Sequence, residues 1–196
     1  EGVMRHRRGL IVLDRDGVLN QALGDPATGQ MLSPLLPSQV TVFPWVPLAL
    51  ARLSAADYAL CVATNQPAYA KGQTSMEALV AVQSRVLAEA QAQGGVIAQA
   101  FVCYHRAEDH CQCRKPRPGM LQQALAAHPD CDAAESWMVG DRAIDVMAGR
   151  AAGMRTALLG PPVAGDAELL QEAELIPNYR GADLRGFVEL VLQGAS

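Results

Sequence analysis

No apolar run in this chain approaches the roughly 20 residues that a membrane-crossing helix needs. The N-terminal stretch also lacks the apolar segment of a signal peptide, so a cytoplasmic protein with no membrane partner is expected. Glu1-Gly2-Val3, ahead of Met4, read as residues left over from cloning. Positive charge is in short supply: 16 Lys and Arg stand against 20 Asp and Glu, for a net charge of −4. That balance argues against broad nucleic-acid binding, which needs a basic footprint. The cluster Arg5-His6-Arg7-Arg8 is a local exception and reads as a solvated terminal segment. Repeats, low-complexity tracts and interdomain linkers are absent, and residues 1–196 are read as a single domain able to bury a full core. Nothing marks an obligate interface, so a monomer is expected. A balanced disulfide framework is missing too, because the five cysteines are odd in number and unevenly placed. Cys103, Cys111 and Cys113 are grouped, while Cys61 and Cys131 stand alone; this pattern suits metal binding in a reducing compartment.

What the chain does have is an alternation of strand and helix. Leu10–Leu13, Ala59–Ala63, Val96–Val102, Trp137–Val139 and Thr156–Leu159 read as short strands. Between them lie helices over Val46–Ala55, over 76 to about 93, from Pro118 to about Ala127, and over Ala143–Ala152; a last helix spans about Leu184–Leu192. Thr74-Ser75-Met76-Glu77 looks like a capping box for the second helix. Its apolar stripe is Met76, Leu79, Val80, Val86, Leu87 and Ala90. Residues 20–44 read as a long excursion with one short hairpin. The pattern implies an α/β fold: a three-layer, Rossmann-like, doubly wound parallel sheet with no large cap domain.

Asp14 and Asp16 follow the first strand in the run Leu10-Ile11-Val12-Leu13-Asp14-Arg15-Asp16-Gly17. Residues two apart on an extended chain point the same way, so both carboxylates can face one volume, and Gly17 lets the chain turn away. Three more polar groups follow strands or the cysteine cluster: Thr64-Asn65-Gln66, Arg114-Lys115-Pro116, and Gly140-Asp141 with Asp145. In doubly wound sheets, ligands bind outside the carboxyl ends of strands. Asp14, Asp16 and Asp141 offer hard oxygen ligands that suit Mg²⁺. A hydroxyl from Thr64, an amide from Asn65 and a cation from Lys115 complete a set suited to phosphoryl transfer. Asp145, taken alone, could equally face solvent on its helix.

These motifs, in this order, resemble the haloacid dehalogenase superfamily of phosphatases. The resemblance implies that Asp14 attacks phosphorus and that Asp16 is the general acid and base. It implies that Asp14, Asp141 and the backbone carbonyl of Asp16 bind Mg²⁺, with Asp145 binding through water or orienting Lys115. Thr64 and Lys115 would hold the phosphoryl oxygens.

Cys103-Tyr104-His105 and Cys111-Gln112-Cys113 place three thiols and an imidazole in a loop of about 103–113, a set that fits tetrahedral Zn²⁺, with His110 a rival for the imidazole. This loop, just before Cys113-Arg114-Lys115-Pro116-Arg117-Pro118-Gly119-Met120, resembles one branch of the superfamily. That branch holds the heptose bisphosphate 7-phosphatases and the histidinol-phosphate phosphatases. It implies removal of the 7-phosphate of D-glycero-D-manno-heptose 1,7-bisphosphate, a small phosphorylated sugar, on the route to ADP-heptose and lipopolysaccharide. Arg114 would grip substrate phosphate or hydroxyls, and Asn65 would contact the sugar region. Two features depart from the branch: Pro67 stands where Ser is usual, and the stretch from His105 to Cys111 is short. The alternatives are histidinol phosphate as substrate, a non-catalytic zinc-stabilised binding module, and a nucleic-acid end-phosphatase; the missing basic groove counts against the last.

Overall fold

The computed structural model describes residues 7–25, 27, 28, 30–161, 163, 165–171 and 175–194. The readings made for Glu1–Met4 and for Arg5-His6 lie outside the described residues. Among those described, the strands are β1 (Gly9–Leu13), β2 (Leu23–Gly24), β3 (Met31–Leu32), β4 (Tyr58–Asn65), β5 (Ile97–Cys103), β6 (Trp137–Gly140), β7 (Arg155–Leu159) and β8 (Tyr179–Gly181). The helices are α1 (Val46–Ala55), α2 (Met76–Ala90), α3 (Gly119–Ala127), α4 (Ala143–Ala151), α5 (Asp166–Leu169) and α6 (Leu184–Gln193).

Six strands form a parallel sheet in the order β5-β4-β1-β6-β7-β8. All five residues of β1 are buried, which is why its sequence is apolar throughout rather than alternating. Ile11 and Leu13 join a core with α1, α2 and α6; Leu10 and Val12 join one with α3 and α4. This is the expected three-layer arrangement. From β1 the chain winds to β4 and β5, then returns past β1 to β6, β7 and β8. The strand order therefore reverses beside β1, and Asp14 stands at that switch point. No helix among the described residues is long and apolar enough to cross a membrane.

Several boundaries differ from the sequence reading. A sixth strand, β8, was not expected; it is three residues long with Arg180 exposed at its centre, too short to show a period. Strand β4 runs on through Thr64 and Asn65, so these residues end the strand rather than follow it. Helix α2 is capped by Ser75, whose Oγ accepts from the Ala78 N–H at 3.1 Å, and not by Thr74. With the cap one residue later, Glu77 is too early to close a box. The buried stripe of α2 is Leu79, Val82, Val86 and Ala90; Val80, one residue round the helix from Leu79, is exposed. The excursion after β1 does contain one hairpin, β2 with β3.

Candidate active site

The sheet delivers Asp14, Lys115, Asp141 and Asp145 to one point. Lys115 Nζ lies 3.0 Å from Asp14 Oδ1 and 2.7 Å from Asp145 Oδ1, and donates to the Ala63 carbonyl at 2.8 Å. The contact with Asp145 is an ion pair whose direction falls outside hydrogen-bond geometry. Asp145 is fully buried rather than solvent-facing. Its Oδ2 accepts the backbone N–H groups of Asp141 (3.2 Å) and Arg142 (3.0 Å), closing the first turn of α4. Asp14 Oδ1 also accepts the Arg15 N–H at 2.7 Å, while Oδ2 makes no protein hydrogen bond among the described residues.

Carboxylate oxygens of Asp14, Asp141 and Asp145 lie within 4.8 Å of one another. Burial, then the charges of Asp145 and Asp16, raises Asp14 from 3.8 to about 7 against the pull of Lys115. Burial and the neighbouring Asp14 and Asp145 raise Asp141 from 3.8 to about 8. For Lys115, burial works downward, but Asp14 and Asp145 outweigh it and hold the ammonium well above its ordinary range. Removing charges from water costs several kcal/mol per ion, and apolar residues would often serve stability as well. Three acids crowded about one buried base, with Asp145 fully buried and Asp141 half-buried, therefore make a functional arrangement. Three hard carboxylate donors with one cation among them have the chemistry of a divalent cation site.

Asp16 points elsewhere. Its carboxylate takes Arg15 Nε (3.1 Å) and Nη2 (3.1 Å), Asn20 Nδ2 (2.9 Å), Ser33 Oγ (2.6 Å) and Gln66 Nε2 (2.8 Å). Burial opposes ionisation, but Arg15, helped by Ser33 and Asn20, holds this carboxyl below its usual range. Arg15 is itself completely buried and reaches Gln83 Oε1 on α2 at 3.0 Å. Gln66 Nε2 also donates to Thr64 Oγ1 at 2.9 Å. Of these supporting groups, Arg15, Asn20 and Gln66 lie in the motif runs, where a cation between two carboxylates was the available signal. Ser33 and Gln83 carried none.

A cavity of about 640 Å³ opens over the site, lined by Asp14, Asp16, Asn65, Lys115 and Asp141, with Phe43 and Trp45 on an apolar wall. Thr64 is buried and does not line it. Asn65 does, but its amide is engaged with Lys115: Oδ1 accepts the Lys115 N–H at 3.1 Å and Nδ2 donates to the Lys115 carbonyl at 3.0 Å. Arg114 borders a separate cavity of about 190 Å³ with Arg106 and Arg117, and Lys115 touches both. Gly17, at φ 87°, is required twice over: a Cβ there would sit 2.0 Å from Asp141 Oδ2.

The cysteine loop closes on itself. The sulfurs of Cys103, Cys111 and Cys113 lie 3.3, 3.5 and 3.7 Å apart, and His105 Nδ1 lies 3.6 Å from Cys103 and 3.3 Å from Cys113. Sulfurs bound tetrahedrally to Zn²⁺ are about 3.8 Å apart for a Zn–S bond near 2.3 Å. His105, and not His110, stands with the thiols. Burial and the adjacent thiols push Cys103 up to about 12, so a cation is needed before all three can be thiolates together.

The family model described as "HAD-hyrolase-like" matches residues 112–185. The chain is 36% identical over 157 residues to D-glycero-beta-D-manno-heptose-1,7-bisphosphate 7-phosphatase of Pseudomonas aeruginosa, covering 78% of this chain and 81% of the relative. The chain belongs to the heptose-1,7-bisphosphate 7-phosphatase family of HAD-like hydrolases. As a member, this phosphatase is a phosphoric monoester hydrolase. A crystal structure of D,D-heptose 1,7-bisphosphate phosphatase from Bordetella bronchiseptica, complexed with magnesium and phosphate, superposes on the phosphatase with a TM-score of 0.79 at 34% identity, covering 95% of this chain and 99% of that one. A relative from Mycobacterium tuberculosis named for the alpha anomer is 32% identical over 140 residues, covering 69% of this phosphatase and 68% of the relative.

Proposed function

We propose that this protein is a Mg²⁺-dependent phosphomonoesterase that removes the 7-phosphate of D-glycero-D-manno-heptose 1,7-bisphosphate in the cytoplasm, on the route to ADP-heptose. The observation that carries the reading is the convergence of Asp14, Asp141 and Asp145 around Lys115 beneath one cavity. The reading treats residues 1–196 as one catalytic unit, with the β2–β3 hairpin beside the cavity and the zinc loop at 103–113 leading into Lys115.

In the proposed reaction, Asp14 Oδ2 attacks phosphorus while the bond to the sugar oxygen breaks, leaving an aspartyl-phosphate. Asp16, a carboxylate at rest, takes up a proton from solvent and passes it to the departing oxygen, then takes one from the water that attacks the aspartyl-phosphate. Ser33 suits that exchange, because its hydroxyl can donate to the Asp16 carboxylate and accept from the protonated acid. Lys115 neutralises transferring oxygens and is held in place by Asp145. Asn65 acts chiefly by fixing the Lys115 backbone, and Arg114, on the neighbouring cavity that meets the site at Lys115, would reach the distal part of the sugar. Mg²⁺, held by the carboxylates of Asp14 and Asp141 and the backbone of Asp16, would supply charge neutralisation on the phosphoryl oxygens. Zn²⁺, held by Cys103, His105, Cys111 and Cys113, would fix the loop that leads directly into Arg114 and Lys115.

The raised Asp14 and Asp141 give a pH dependence. A carboxyl whose folded pKa lies above its unfolded value stabilises the fold below the unfolded value of 3.8, and that contribution is lost as pH rises through about 7 and about 8. Mg²⁺ binds only the ionised forms. The rise in Tm on adding Mg²⁺ is therefore expected to be small near pH 6 and to grow through about pH 8. Calorimetry with and without the metal checks this; a Tm difference that shrinks with pH contradicts it.

Steady-state kcat/KM on both anomers of heptose 1,7-bisphosphate and on histidinol phosphate tests the substrate assignment. A heptose bisphosphate is expected to win by at least about tenfold. A comparable advantage for histidinol phosphate overturns the assignment and leaves the phosphatase chemistry intact.

A further inference from the structure

Immediately after Asp141 the chain carries Arg142, a permanent cation that lines the same cavity as the metal-site carboxylates. Left free, a guanidinium beside Asp141 and Asp145 would be a built-in competitor for the divalent cation. It is not free. Asp166, at the start of α5 and 21 positions after Asp145, takes Arg142 Nε on Oδ2 at 2.7 Å and Nη2 on Oδ1 at 3.1 Å. The same Oδ2 accepts the Ala143 N–H, the first amide of α4, at 2.8 Å. Asp166 is buried, and the pairing is a two-pronged fork that fixes the plane of the guanidinium. One carboxylate thus holds both the helix that carries Asp145 and the side chain that follows Asp141.

We propose that Asp166 is a positioning residue for the metal site: it sequesters the Arg142 guanidinium so that the carboxylates of Asp14 and Asp141 remain open to Mg²⁺. The inference rests on the reading of that cluster as a Mg²⁺ site. It assigns a role to a residue outside every sequence motif. It also explains why an arginine can stand next to a metal-binding aspartate without occupying its site.

The test titrates Mg²⁺ alone into Mg²⁺-free protein that keeps its zinc and follows Tm, so that no turnover is needed. Asp166→Asn keeps an oxygen for the Ala143 N–H but removes the charge that holds Arg142. It is expected to raise half-saturating Mg²⁺ by about tenfold, the range typical of lost outer partners at metal sites. Adding Arg142→Gln to that variant is expected to restore half-saturation to within about twofold of the original. A purely structural role would give no such rescue, because the second substitution cannot repair a helix cap. Unchanged half-saturation in Asp166→Asn overturns the inference, as does a double variant that stays as weak as the single one. If the unaltered protein shows no Mg²⁺-dependent shift at all, the metal-site reading falls, and this inference with it.

Discussion

Asp14→Asn is expected to lower turnover by about 10⁴-fold or more while the protein stays folded. The amide oxygen can still accept the Arg15 N–H that Asp14 Oδ1 accepts at 2.7 Å. What is lost is the nucleophilic carboxylate. Stability should not suffer, because burial and like charges raise Asp14 to about 7 despite Lys115, so neutralising it relieves more cost than the lost attraction to Lys115 adds. Metal-free Asp14→Asn is therefore expected to melt at or slightly above the temperature of the unaltered protein near pH 8. Steady-state kinetics and calorimetry on one preparation separate the two effects. Activity within about tenfold of the original would remove Asp14 as nucleophile.

Cys113→Ser is expected to take the zinc out of the loop and to reduce turnover by about 10²-fold, the cost of displacing a positioned group by roughly 1 Å. Cys113 contacts both other thiols and His105, so no remaining trio keeps the same geometry. The loop has little apolar packing of its own: Arg106 to His110 are all exposed, and Arg114 Nη1 donates to the His105 carbonyl at 3.2 Å. Without metal, the segment leading to Lys115 loses its anchor. Elemental analysis of protein purified without added metal should give about one zinc per chain before substitution and much less after it. Zinc absent from the unaltered protein would end this account of the loop.

The legible part of this molecule is the part governed by local pattern. β1, α1 and α6 follow from short apolar runs and helical spacing, and the motifs after β1 and β6 meet at the switch point because parallel strands end on one side. Local pattern left Asp145 open between solvent and the site, and only the resemblance offered it a role beside Lys115. Its partner Lys115 is 30 residues away, and only folding shows that the carboxylate turns inward. The same holds for the ring of donors around Asp16, where Ser33 arrives from beyond the hairpin and Gln83 from α2 supports Arg15. Strand β8 escaped because three residues cannot display a period of two. Val80 was misplaced because an apolar residue one step off the stripe looks the same in sequence as one on it.

Phosphorus NMR of the products tests the central claim most directly. Heptose 1,7-bisphosphate, incubated with enzyme and Mg²⁺, should lose the primary 7-phosphate signal, keep the anomeric 1-phosphate signal and gain inorganic phosphate in equal amount; chelating the Mg²⁺ should stop the change. Loss of the anomeric phosphate instead, or no hydrolysis with metal present, would contradict the account.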